Sequence, residues 1–425
     1  MADTWEGFRR ETPRWFSDAK LGIFIHWGPY SVPAWAEPIG PLGTIDGDTW
    51  FAHNPYAEWY FNTVRIIDSP AARRHRELFG DAPYDAFIDR WRAENFRPDH
   101  WAALFAQVGA DFVVPTAKHH DGFALWDAPG TGDRNAVRRG PQRDLLAEIA
   151  DAVRAEGMRF GVYYSGGLDW SVSPTLPPHR DHPEVGAIRP RDAAYNLYAI
   201  SHVRDLIRRY QPAMVWNDID WPDAGKRDGA DGLAELFRHY RSVVPDGVIN
   251  DRWGVPVWDF RTSEYESGTD LEQGAWQNTR GIGYSFGFNQ AEDENSSLSG
   301  PELARYWVDV VARGGQLLLN VGPTADGRIP GVQERTLRDF AAWRATVGDA
   351  AGVRAWPEAD APLDGTGGPW VRFWNAPDEI VAFVGDAGVH SIRLPTGPRV
   401  EVEVKDVSAG PAVFRFPSSG ATKSS

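Results

Sequence analysis

The sequence predicts an α/β protein: a (β/α)8-like barrel with irregular connections, followed by a C-terminal antiparallel β-sandwich. Short, near-continuous apolar runs recur through the first 320 or so residues, and helical periodicities lie between several of them. After about residue 350 the period changes to two. Runs that are apolar at every position fit strands buried on both faces, as in parallel sheets, whereas strict alternation fits strands with one wet face. The 425 residues exceed one typical domain, which predicts one large unit, the barrel in 1–350, and a small second unit in 351–425.

Eight candidate strands follow in order: LGIFIHWG (21–28), DFVVPTAKHH (111–120), RFGVYYSGG (159–167), PAMVWND (212–218), GVINDRWG (247–254), DFRTSEYE (259–266), WQNTRG (276–281) and QLLLNVGP (316–323). WQNTRG is the most polar and the weakest of them. RDLLAEIADAVRAEG (143–157) puts Leu145, Leu146, Ile149 and Val153 on one helical face and ends at Gly157. AAYNLYAISHVRDLIRRYQP (193–212) repeats that spacing and stops before Pro212. Pro301 suits the first turn of a third helix and Gly314 its end. Long connections after the first and third strands leave room for an irregular ring. In the last segment EIVAFVGD, VEVEVKDV and AVFRFP alternate between Gly, Pro and Asp breaks, as in a sandwich.

Composition narrows the function. A net charge of -15 speaks against nucleic acid and against an anionic membrane surface as partners, and is compatible with a neutral ligand. The absence of cysteine excludes disulfides, thiolate nucleophiles and Cys-ligated metals. With no apolar leader at the start and no run of about 18 apolar residues, the expectation is a cytoplasmic protein with no membrane span. The 20 tryptophans suit core packing, and some suit the flat walls of a ligand pocket.

In a (β/α)8 barrel the chemistry sits where strands end. Here those ends carry His26, His119, His120, Asp218, Arg252 and Glu264. A carboxylate pair facing across the mouth is the minimum equipment for cleaving a glycosidic bond: one ionised, one holding a proton for the departing oxygen. Structural ion pairs or turns could equally place acids there. Three histidines could instead hold a zinc or manganese, but no H-x-H or HExxH spacing is present, and adjacent His119 and His120 would point to opposite faces of a strand. A non-catalytic sugar-binding protein is a further alternative. No metal or other cofactor is expected.

WFSDAKLGIFIHWGPYSVPAW, AEWY, KHHDGFALW, RGPQRDLLAEI, GVYYSGGLDW, VWND, NDRWG, TSEY, GIGYSFGFN and LLLNVGPTADGRIP occur in that order between residues 15 and 330, in a resemblance that covers nearly all of residues 14 to 347. This set resembles the α-L-fucosidases of glycoside hydrolase family 29. The resemblance implies an exo-acting, retaining hydrolase of terminal α-L-fucosides on glycans or small glycosides, working through a covalent fucosyl-enzyme, or a relative preferring an L-galactoside or arabinoside. It assigns Asp218 of VWND as nucleophile and Glu264 of TSEY as acid/base, with Glu266 as the competitor two residues on. Asp220 and Asp223 become loop residues. For the sugar pocket the resemblance implies His26, Glu58, Trp59, His119, His120, Tyr164, Trp216, Arg252 and Phe286, with Tyr163 as the alternative to Tyr164. Linkage preference and oligomeric state are not legible. The segment 171–190 is the expected aglycone loop.

Overall fold

The computed structural model describes residues 5–41, 43–46, 49–172, 189–265, 274–348, 353–355 and 368–418. The expected boundary at 350/351, Glu266 and most of the 171–190 segment lie outside these residues.

All eight candidate strands form, and they make one parallel sheet: β1 (Leu21–Ile25), β2 (Phe112–Lys118), β3 (Arg159–Ser165), β4 (Met214–Asp218), β5 (Val248–Ile249), β6 (Arg261–Glu264), β7 (Trp276–Gly281) and β8 (Gln316–Val321). Their order is β5-β4-β3-β2-β1-β8-β7-β6, so the sheet curls round and, among the described residues, lacks only the ladder between its end strands β5 and β6. The outer layer is α1 (Pro98–Val108), α2 (Leu145–Ala155), α3 (Ala193–Tyr210), α4 (Leu233–Val243), α5 (Gly300–Ala312) and α6 (Gly331–Val347). Asp144 caps α2 by accepting from Ala147 N, and Ser299 with Glu302 forms a capping box on α5. Among the described residues no helix connects β5 to β6 or β6 to β7. No described helix is long and apolar enough to cross a membrane.

Side chains replace the missing β5–β6 ladder. Ile249 N donates to Asp259 Oδ2 at 2.9 Å and Asp259 N to Ile249 O at 2.8 Å. Asp251 Oδ1 accepts from Thr262 N at 3.1 Å and from Thr262 Oγ1 at 2.8 Å. The polar strand WQNTRG is paid in the same coin: Gln277 bonds Gln316 at 2.9 Å and Asn278 bonds Ser263 at 3.0 Å, so its buried amides are satisfied sideways. The barrel interior is aromatic, with Phe24, Phe112, Tyr163, Trp216 and Phe260 packed together. The long β1–β2 connection folds over the mouth and contributes the turn Ala57–Trp59.

The C-terminal strands are β9 (Arg354–Ala355), β10 (Val371–Ala376), β11 (Glu379–Val384), β12 (Gly388–Arg393), β13 (Arg399–Val404) and β14 (Ala412–Pro417). They form sheets β14-β11-β10-β9 and β12-β13, which enclose Phe373, Ile380, Val384, Ile392 and Val402. Alternation on β10 sends the next residue, Trp374, the other way. It stands edge-on to Trp307 of α5 at 5.0 Å and against Phe383 at 4.5 Å, and is 1% exposed. Trp374→Ala is expected to cost about 3–5 kcal/mol, the range for emptying a buried aromatic site. Chemical denaturation should read this as a lower midpoint.

Candidate active site

Ten of the eleven expected site residues line one cavity of about 320 Å³ at the C-terminal end of the parallel strands. Trp216 and Asp218 come from β4, Glu264 ends β6, and His26, His119 and His120 directly follow β1 and β2. Glu58 and Trp59 come from the turn over the mouth, Arg252 from the loop after β5, and Phe286 from the loop after β7.

Tyr164 is the exception. Successive side chains on a strand face opposite ways, and on β3 it is Tyr163 that enters the barrel. The Tyr164 hydroxyl lies 3.1 Å from His202 Nδ1 on α3, outside the cavity. The Tyr163 hydroxyl donates to Asp218 Oδ2 at 2.8 Å. The opposite-faces expectation for His119 and His120 also fails. Strand β2 ends at Lys118 with a register shift beside it, and both imidazoles turn inward with ring centroids 4.0 Å apart.

Arg252 joins the two carboxyl groups. Its Nη1 donates to Asp218 Oδ1 at 2.9 Å, its Nη2 to Glu264 Oε2 at 3.2 Å and its Nε to Thr262 Oγ1 at 3.0 Å. Its guanidinium carbon also sits 4.7 Å from the centre of the Trp216 ring. Tyr56 donates to Glu264 Oε1 at 2.8 Å. Tyr56 escaped the sequence reading, although it stands two residues before Glu58. Burial by itself would raise the Asp218 pKa, but the Arg252 charge and the Tyr163 hydrogen bond outweigh it and hold the carboxyl below its ordinary range.

The histidines behave differently. Burial pushes His26 down to about 3 and His120 to about 4, and drives His119 well below its ordinary value. All three are therefore neutral near pH 7. Asn320 Nδ2 donates to Phe286 O at 2.6 Å, which turns its Oδ1 to His26 Nδ1 at 2.7 Å. Ser165 Oγ donates to Leu168 O at 2.7 Å and so accepts from His120 Nδ1 at 2.6 Å. These networks place the proton on Nδ1 in both rings and leave Nε2 as a lone-pair acceptor. His120 Nε2 lies 3.7 Å from Asp218 Oδ2, so two acceptors stand side by side, ready to share a ligand hydroxyl. His119 Nδ1 is buried and unpartnered. Among the described residues no three of His, Asp and Glu form a metal-binding group.

Glu58 is pushed up to about 7 by burial, against the pull of the Gly287 N–H at 2.7 Å and the Ser285 hydroxyl at 3.2 Å. The same loop is held from behind by Glu292, which accepts from Ser285 N at 2.8 Å and which burial raises to about 8. These two carboxyls clamp the segment that carries Phe286.

Replacing Tyr163 by Phe removes a donor to an ionised carboxylate, and the Asp218 titration midpoint should rise by about one pH unit, read by carbon-detected NMR. Tyr164→Phe should leave that midpoint in place. Stability should also peak near pH 6–7. Below an unfolded His pKa of about 6.5 the unfolded chain takes up protons that His26, His119, His120 and His202 refuse, so each contributes up to about 1.4 kcal/mol of lost stability per pH unit. Above an unfolded Glu pKa of about 4.3 the native state keeps protons on Glu58 and Glu292 that the unfolded chain releases. Those two oppose the four histidines in acid and act alone above pH 6.5, up to about 8. Denaturation midpoints across pH 4–9 test this, and a flat profile would refute it.

A family model described as Alpha-L-fucosidase matches residues 1–349. The chain is 31% identical over 352 residues to the α-L-fucosidase of Dictyostelium discoideum, covering 80% of this chain and 71% of that protein. It is 31% identical to the plasma α-L-fucosidase of Homo sapiens, covering 82% and 71%. Among solved structures, the Thermotoga maritima α-fucosidase with a mechanism-based inhibitor superposes with a TM-score of 0.83 at 41% identity, covering 94% of this chain and 95% of that one. The same enzyme in complex with fucose gives 0.81 at 40% identity, with the same coverage. The barrel, the mouth with its paired acids and these matches agree: the chain belongs to the α-L-fucosidase family and is a glycoside hydrolase.

Proposed function

We propose that Asp218 is the nucleophile and Glu264 the acid/base of a retaining, exo-acting hydrolysis of terminal α-L-fucosides. The observation that carries this assignment is the single guanidinium of Arg252 bonded to one oxygen of each carboxyl group at the cavity mouth. Their surroundings divide the two roles. Asp218 is buried, accepts from Tyr163, Arg252 and its neighbour's N–H, and is held ionised. Glu264 is the more exposed of the two carboxyl groups, which suits a residue that must meet a departing aglycone.

In the first step Glu264 gives its proton to the glycosidic oxygen while Asp218 attacks the anomeric carbon. The carbon–oxygen bond breaks, the aglycone departs as an alcohol, and a β-fucosyl ester remains. In the second step Glu264 takes a proton from water, the water oxygen attacks the same carbon, and the ester bond breaks to return Asp218 as carboxylate. Two inversions leave L-fucose with the α configuration it began with. The neutral His26 and His120 supply acceptors for sugar hydroxyls. Phe286 and Trp216 supply apolar faces that suit the methyl group of a 6-deoxy sugar. Complexes of the Thermotoga maritima relative with fucose and with a mechanism-based inhibitor support the same reading.

Asp218→Gly should lower kcat on 4-nitrophenyl α-L-fucoside by roughly four orders of magnitude, and azide should restore turnover with β-L-fucosyl azide as product. Glu264→Ala should slow sugar or alkyl leaving groups by about 10²–10⁴-fold and activated aryl groups much less. Wild type inactive on every α-L-fucoside, or Asp218→Gly retaining activity, would refute the assignment.

A further inference from the structure

Ile219 follows the nucleophile at the point where β4 leaves the sheet, and its φ is +70°. That left-handed region favours glycine, and for a β-branched side chain it is a steric outlier. The surroundings hold the turn in place. Gly167 donates to Asp218 O at 3.1 Å, and a Cβ on Gly167 would come within 2.8 Å of both Ile219 Cβ and Asp220 N. Asn217 Nδ2 donates to Asp220 O at 2.9 Å, and Lys226 Nζ holds Asp220 Oδ2 at 2.8 Å. Backbone strain persists where the surrounding structure over-determines it, and it concentrates at working sites.

The turn delivers the Ile219 N–H to Asp218 Oδ1 at 2.8 Å. A glycine would supply the same N–H without the steric cost, so the isoleucine must contribute through its side chain. That side chain lines the cavity and packs against the apolar cluster over the mouth with Trp50, Leu168 and Trp170. It is only half-buried, whereas the walls at the deep end, His26, His119, Trp216 and Phe286, are all buried. Ile219 therefore stands at the rim, where a group attached to an enclosed sugar must emerge.

We infer that Ile219 determines leaving-group specificity: its N–H positions the nucleophile, and its side chain is the apolar wall against which an aryl or other apolar-faced aglycone rests. This rests on the assignment of Asp218 above. Loss of α-L-fucosyl fluoride turnover in Asp218→Gly beside an active wild type checks that assignment by itself, because this leaving group has no apolar face. The inference is read as a ratio. In Ile219→Gly, kcat/KM on 4-nitrophenyl α-L-fucoside should fall about tenfold more than on the fluoride, the worth of one aliphatic contact. The acidic limb of kcat/KM should stay in place, because glycine keeps the N–H. Ile219→Asn, which suits the same backbone region, repeats the ratio if the glycine variant folds poorly. Gly167→Ala, which forces the turn to move, should shift the acidic limb upward and lower kcat more than it raises KM. Equal losses on the two substrates, or none on either, would overturn the apolar wall. An unmoved acidic limb with unchanged kcat in folded Gly167→Ala would overturn the positioning role.

Discussion

One guanidinium organises the mouth of this barrel. Arg252 is bonded to Asp218, Glu264 and Thr262 and lies over the Trp216 ring, so each of its polar edges and one face are committed. A planar fork can hold two carboxyl groups in a fixed relation in a way a flexible ammonium cannot. Its positive charge also decides the state of Asp218: burial would otherwise favour the neutral acid, and the proposed attack needs the carboxylate. The geometry of the acid pair and the ionisation of one member thus have a common cause.

The rest of the cavity is kept close to neutral. The imidazoles of His26, His119 and His120 lose their protons to burial, and Glu58 is drawn towards its protonated form by the same effect. A chain with a net charge of -15 therefore presents a ligand with lone pairs, ring faces and one arginine shared between two carboxyl groups. Such a surface suits an uncharged, hydroxyl-rich molecule with one apolar corner, and would hold an anionic one poorly.

Most of this was legible in the residues. Buried parallel strands are apolar at nearly every position, so their ends, and the reactive side chains placed there, could be located from the pattern alone. What failed was phase. Tyr163 and Tyr164 are equivalent until one knows which face of β3 lines the barrel, and His119 and His120 are opposed only if β2 runs two residues past its end at Lys118. Tyr56 lay in an insertion with no strand to mark it, and an isoleucine in a left-handed turn has no signature of its own. Its nearest hint was the Gly166–Gly167 pair, which lets neighbouring backbone come close.

The gap in the ring ties fold to chemistry. A regular fifth strand would run on past Ile249 and pair with β6, leaving its residues in alternation and its N–H groups in a ladder. Here β5 stops after two residues, and Asp251 and Asp259 take over the bonds to its neighbours. Freed from the sheet, the chain at 250–252 folds inward: Asn250 bonds the backbone of Asn217, and Arg252 reaches from the β4 edge to the β6 edge. The two strands that carry the carboxyl groups are thus joined through an arginine that only a broken strand could supply. The irregularity of this barrel lies where its acids have to be brought together, and the side chains that close the gap also set the distance across it.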